Sequence, residues 1–181
     1  MAELISLANL DVSELVWSQP AIAQTFELSG PEGMYARLEL KKLASSRANG
    51  ASSRANFAFE RQGMLKSHIR IRLSDSPQPL ATYEPNFTGQ KGLLKYSGGQ
   101  SVEFQSTNFF KTEWQWLTPD GTGLIGFRVK GAGKPGATVF IGDDGLQRVD
   151  LDLLLLLGFY ILLLLREAFV EGTESRHEPR L

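Results

Sequence analysis

The sequence predicts a mainly β protein, an antiparallel sheet closed into a barrel around one buried hydrophobic C-terminal α-helix. Three observations carry this. Apolar and polar residues alternate with period two in segment after segment up to about residue 141, the signature of strands with one dry and one wet face. Residues 151–165 hold ten Leu together with Phe159, Tyr160 and Ile161, with Asp152 as the single charge, so this segment is apolar on every side. No other strongly helical segment is present to cover the dry faces, so the sheet must fold over or close on itself.

His68-Ile69-Arg70-Ile71-Arg72-Leu73 is the clearest alternating segment, and 36–41, 110–116 and 125–130 follow the same rule. On this rule Phe110 joins Trp114 and Trp116 on a dry face. Segments 15–18, 24–28, 56–60, 80–83, 92–96, 101–104 and 138–141 bring the candidates to about eleven. Gly98-Gly99, Asp120-Gly121 and Asp144-Gly145 fall between candidates, where tight turns need positive φ. A near-repeat, Ala44-Ser45-Ser46-Arg47-Ala48-Asn49-Gly50 followed by Ala51-Ser52-Ser53-Arg54-Ala55-Asn56, is small and polar, and it is expected to form a mobile surface loop.

The apolar segment, as a helix from about 152 to 168, has Asp150 and Asp152 at its start and Arg166 in its last turn, consistent with the helix dipole. Fifteen residues span roughly 22 Å as a helix, short of a bilayer core of roughly 30 Å. Threading it through a barrel lumen gives it apolar contacts on all sides and removes the sheet edges together. A β-sandwich with a trailing membrane anchor is the alternative architecture. The domain organisation expected is an N-terminal segment 1–14, a single barrel domain 15–171 and a flexible tail 172–181.

Composition narrows the chemistry. The 181 residues contain no Cys, 19 Lys+Arg and 20 Asp+Glu, which excludes disulfides, thiolate metal sites and cysteine nucleophiles and gives no global charge for nucleic acid. The start of the chain carries Glu3, Asp11 and Glu14 without the basic opening of a secretory signal, so a cytoplasmic location is expected, and the Asn86-Phe87-Thr88 sequon is read as an ordinary turn. With His68 and His177 as the whole histidine complement, no catalytic residue, metal or cofactor is assigned. Asp143, Asp144, Asp150 and Asp152 are read as turn and helix-start residues ahead of a calcium site. The glycine triplets at 121–126 and 131–136 run into strand pattern instead of opening a helix, which argues against a phosphate loop.

The local charge is more telling. Residues 37–72 carry nine Lys or Arg against Glu39 and Glu60. Arg70 and Arg72 share one strand face with His68, and Arg37 and Lys41 share another with Glu39, so these four cations are the candidate ligand-binding residues. The function expected is a non-enzymatic module that binds an anionic lipid head group or a protein partner through a basic outer face. The alternative is a single-pass membrane protein held by segment 151–165.

Trp17-Ser18-Gln19-Pro20, the run from Leu80 to Gly89, Ser106-Thr107-Asn108-Phe109-Phe110 leading to Glu113-Trp114, and Leu153 to Glu167 resemble, in that order, bacterial members of the tubby C-terminal-like superfamily. That superfamily includes LURP-one-related proteins and phospholipid scramblases, and the resemblance spans about residues 15–167. It implies a twelve-stranded barrel around a C-terminal helix. It also implies phosphoinositide binding through basic strand residues, for which Arg70 with Arg72, or Arg37 with Lys41, are the nearest counterparts. The missing Cys departs from the palmitoylated scramblases.

Overall fold

In a computed structural model, residues 3–10, 14–21, 23–41, 46–63 and 66–174 are described. Twelve strands among them form a closed antiparallel barrel: β1 Glu14–Ser18, β2 Thr25–Gly30, β3 Gly33–Leu40, β4 Arg47–Ser52, β5 Asn56–Gln62, β6 His68–Leu73, β7 Pro79–Pro85, β8 Lys91–Tyr96, β9 Ser101–Ser106, β10 Glu113–Leu117, β11 Gly123–Val129 and β12 Ala137–Ile141. Each strand pairs with its neighbours in sequence, and β1 closes on β12 with Leu15 opposite Val139 and Trp17 opposite Ala137. A short helix, α1 (Asp143–Leu146), turns the chain into α2 (Leu151–Glu174), which fills the lumen.

The two periodicities meet inside. Inward strand residues such as Trp17, Leu38, Ile71, Phe104 and Trp116 are buried, and Leu151, Leu153 to Leu157 and Phe159 to Leu163 of α2 are buried on every face. Trp17 stacks flat on Phe159 with ring centroids 4.7 Å apart, and Phe59 lies on Tyr160 at 5.6 Å. Trp116 Nε1 donates to the α2 carbonyl of Leu154 at 2.9 Å, satisfying a polar atom that would otherwise be orphaned in the core. Ahead of the barrel, Ile5 N–H donates to Met34 O at 2.8 Å and Leu7 is buried, so part of the N-terminal segment packs on the domain.

The near-repeat departs from expectation. Its positions 46–56 do not form a loop: they supply β4, a three-residue turn and the start of β5, while 42–45 lie outside the described residues. Small residues serve close approach here. Ala48, Gly50 and Ser52 face the lumen, and a Cβ on Gly50 would stand 3.1 Å from the Leu156 methyls and 3.0 Å from the Phe59 ring. Ser52 Oγ donates to Asp152 Oδ2 at 2.7 Å and accepts the Arg54 and Ala55 N–H groups at 3.1 Å, so one hydroxyl closes the turn and partners the single acid in the buried part of the helix. Replacing Ser52 with Ala leaves Asp152 Oδ2 and two turn donors without this partner, so Ser52→Ala should cost about 1–3 kcal/mol. Denaturant unfolding would register it, with exposed Ser53→Ala close to neutral.

Gly99 and Gly121 adopt positive φ as expected, but Asp144-Gly145 lies in α1, where a Cβ on Gly145 would fall 2.2 Å from Leu124 O. β10 begins at Glu113, and Phe110 is exposed in the preceding turn instead of lining the dry face. The helix continues to Glu174, so Gly172 is helical and Arg166 is interior to the helix, donating to Gly133 O at 2.7 Å across to the β11–β12 connection. Of the expected tail, 175–181 lies outside the described residues.

Candidate functional site

Strand order decides which cations meet. β3, β4, β5 and β6 are consecutive in the wall, and their outward residues fall in register as rows: Arg47, Glu60 and Arg70 in one, Asn49, Ala58 and Arg72 in the next. Ala58 has only a methyl group between Asn49 and Arg72, so the wall dips there. The depression widens into an outer groove of about 1150 Å³ bordered by Lys41, Arg47, Arg70 and Arg72, with Glu60 and Asp75 as its acids.

The cations in it are differently occupied. Arg47 pairs with Glu60 at 3.0 Å, and Lys41 pairs with Glu39 at 3.3 Å. Arg70 and Arg72 have no carboxylate within ion-pair distance among the described residues. Arg70 Nη2 donates to Pro77 O at 3.4 Å, and Arg72 Nη1 reaches the carbonyls of Leu73, Ser74 and Ser76 at 3.2–3.3 Å. These neutral acceptors orient both guanidinium groups toward the β6–β7 connection without cancelling their charge. A guanidinium has five donors in a planar fork, so donors remain for a bidentate anion.

Lys41, Arg70 and Arg72 are therefore brought to one groove. Arg37 is not: it lies opposite Glu27 across β2 and β3, pairs with it at 3.2 Å, and is only a third exposed. Its Nε is buried without an acceptor among the described residues. Arg47 was missing from the candidates because the near-repeat reads as a loop. A signal was present, since Arg47-Ala48-Asn49-Gly50 alternates large polar with small.

The carboxylates are committed elsewhere. Asp152 is held by Ser52 and by the Leu153 N–H. Asp150 accepts from Arg148 Nε at 2.7 Å, from Arg148 Nη2 at 2.8 Å and from the Tyr96 hydroxyl. Burial alone would raise the Asp150 carboxyl, but these donors outweigh it and hold the group below the usual carboxylate range, while burial and the facing carboxylate push the Tyr96 phenol up. No cluster of three or more acidic, His or Cys residues stands ready for a metal ion among the described residues.

No family model, curated protein or solved structure matches this chain.

Proposed function

We propose that the protein is a non-enzymatic binding module whose outer groove recognises a phosphate-bearing anion, with Arg70 and Arg72 as the principal contacts and Lys41 and Arg47 at the rim. The observation that carries this is the pair of guanidinium groups held two residues apart on β6 by backbone carbonyls and matched by no carboxylate among the described residues. Filling of the lumen by α2 supports the non-enzymatic reading, because the barrel interior is packed with side chains where a substrate would have to sit. The architecture is also the one that the resemblance to the tubby C-terminal-like superfamily implies, which supports membership and a phosphoinositide-like ligand.

The anion has two sources, a lipid head group and a free phosphate ester. Calorimetric titration with a soluble inositol polyphosphate reads the shared chemistry, and sedimentation with phosphoinositide vesicles reads the lipid arm. Each cation contributes about 1 kcal/mol, so Arg70→Glu with Arg72→Glu should weaken soluble-probe binding by well over an order of magnitude. Raised salt should weaken it too. Unchanged binding in the double variant would sink the groove.

One observation favours the anchored reading: Leu151–Val170 is long and apolar enough to cross a membrane. Insertion would, however, empty the lumen and unpack the rings stacked on Phe159 and Tyr160. Extraction of the expressed protein by salt alone is the result expected for a lumen-bound helix, and a requirement for detergent is the result for a span.

A further inference from the structure

Because the barrel runs strictly up and down, its connections sort onto two rims. One rim gathers the described residues of the connections after β1, β3, β5, β7, β9 and β11 (19–21, 23–24, 41, 46, 63, 66–67, 86–90, 107–112 and 130–136), and the C-terminal end of α2 emerges there. The described residues of these six connections contain five Lys (Lys41, Lys66, Lys111, Lys130 and Lys134) and no Asp or Glu, and the emerging end of α2 adds Arg166 against Glu167, Glu171 and Glu174, so the rim keeps a net positive charge. The opposite rim, made of 31–32, 53–55, 74–78, 97–100, 118–122 and 142–150, contains six acids and two Arg. Such a division along the barrel axis gives the molecule a basic pole and an acidic pole.

Exposed aromatics collect at the basic pole. Phe87 is 105% exposed, Phe109 93% and Phe110 81%, and Phe169 and Val170 of α2 are exposed beside them. Of the seven large apolar side chains exposed among the described residues, these five share one rim. The aromatics are held out by ordered loops. Asn108 Oδ1 accepts from the Thr112 and Glu113 N–H groups at 3.0 and 3.2 Å, and its Nδ2 donates to Thr112 Oγ1 at 2.7 Å. Lys111 takes a positive φ of 56° while its carbonyl accepts Trp114 Nε1 at 2.9 Å. Strain in a non-glycine residue and a buried indole are both used to present two phenylalanines to water. In the next loop Asn86 Oδ1 accepts from Thr88 Oγ1 and Lys91 N, fixing Phe87 in the same way.

From this juxtaposition we propose that the basic rim docks on an anionic bilayer, with Phe87, Phe109 and Phe110 inserted at the interface and Lys111, Lys130 and Lys134 over the acidic head groups. Aromatic tips ringed by lysine, with no acid in the connecting segments, match an interface that is apolar within and negative at its surface. The barrel axis then stands along the membrane normal with the acidic pole facing away. This proposal uses a different surface from the groove, the two meeting only at Lys41 and Ser46, and either can hold without the other.

The test is sedimentation with vesicles of equal parts phosphatidylcholine and phosphatidylserine, against vesicles of phosphatidylcholine alone. The wild-type chain should pellet with the first, and Phe87→Ser/Phe109→Ser/Phe110→Ser should bind them at least about tenfold more weakly. Neutralising Lys111, Lys130 and Lys134 to Gln should cost roughly fivefold per charge. Arg70→Glu/Arg72→Glu, on the side wall, should change this binding far less than the Phe variant, while it should weaken the soluble-probe binding that tests the groove by well over an order of magnitude. Phe109→Trp should be quenched by brominated lipid. Wild-type chain left in the supernatant, or the triple Phe variant binding as the wild type does, would overturn the proposal. So would wild-type dimers that dissociate in the Phe variant without any lipid dependence, because the rim would then be covering a second copy.

Discussion

A chain ending at Asp150 is expected to lose the barrel altogether. The helix contributes eleven buried apolar side chains, and each is worth about 1.5–3 kcal/mol on burial, together more than the roughly 5–15 kcal/mol by which whole domains are stable. Without α2, the inward faces carrying Trp17, Phe59, Phe104, Trp116 and Phe127 would line a wet cavity, and Asp152 would leave Ser52 without its partner. The truncated chain should lack the near-UV circular dichroism of packed tryptophans and should unfold without cooperativity, whereas a chain ending at Glu174 should keep both. Cooperative unfolding of the shorter chain would mean that the sheet closes without its filling, and the account of the lumen given above would fail.

Gly158→Val should be the most damaging single substitution inside that helix. A Cβ at Gly158 already stands 2.5 Å from Phe127 Cζ and 2.9 Å from Trp116 Nε1, and neither neighbour is free to give way. Phe127 packs edge-on against Phe104, and Trp116 is tied to the Leu154 carbonyl one turn back along α2. Replacing Gly with Ala on an exposed helix gains about 1 kcal/mol, but overpacking a filled core costs about 1–3 kcal/mol and at times more. Ala is therefore expected to destabilise, and Val, with two further methyl groups and a stiff χ1, to cost about 3 kcal/mol or more. Denaturant midpoints of the two variants would rank them. A stabilised Gly158→Ala would show that the glycine has another reason to be there.

Much of the fold was legible because its two signals are local. Alternation in 68–73 or 125–129 needs only neighbouring residues to be seen, and a segment as uniformly apolar as 151–163 has few places to go. The closed topology followed from counting faces that needed cover. β4 was not legible, because Ala, Ser, Asn and Gly carry almost no hydrophobic contrast and pair as a strand only where Leu156 passes close to Gly50. Phe110 misled in the opposite sense: period two places it inside, yet the Asn108 network ends the strand pattern before it and turns the ring outward.

The same division runs through the candidate site. Residue types and charge density alone established that 37–72 is basic, that Arg70 and Arg72 share a face, and that the chain has no cysteine thiol to offer. The fold settled which cations are spent and which are left. Glu27 lies ten residues from Arg37 yet across a ladder from it, and Glu60 neutralises Arg47 in the same way, while the carbonyls of 73–77 hold Arg70 and Arg72 without neutralising them. Chemical character is a property of a residue and its near neighbours, so it is written along the chain. Pairing, register and closeness of approach belong to residues far apart in sequence, and they acquire values only when the barrel shuts around its helix.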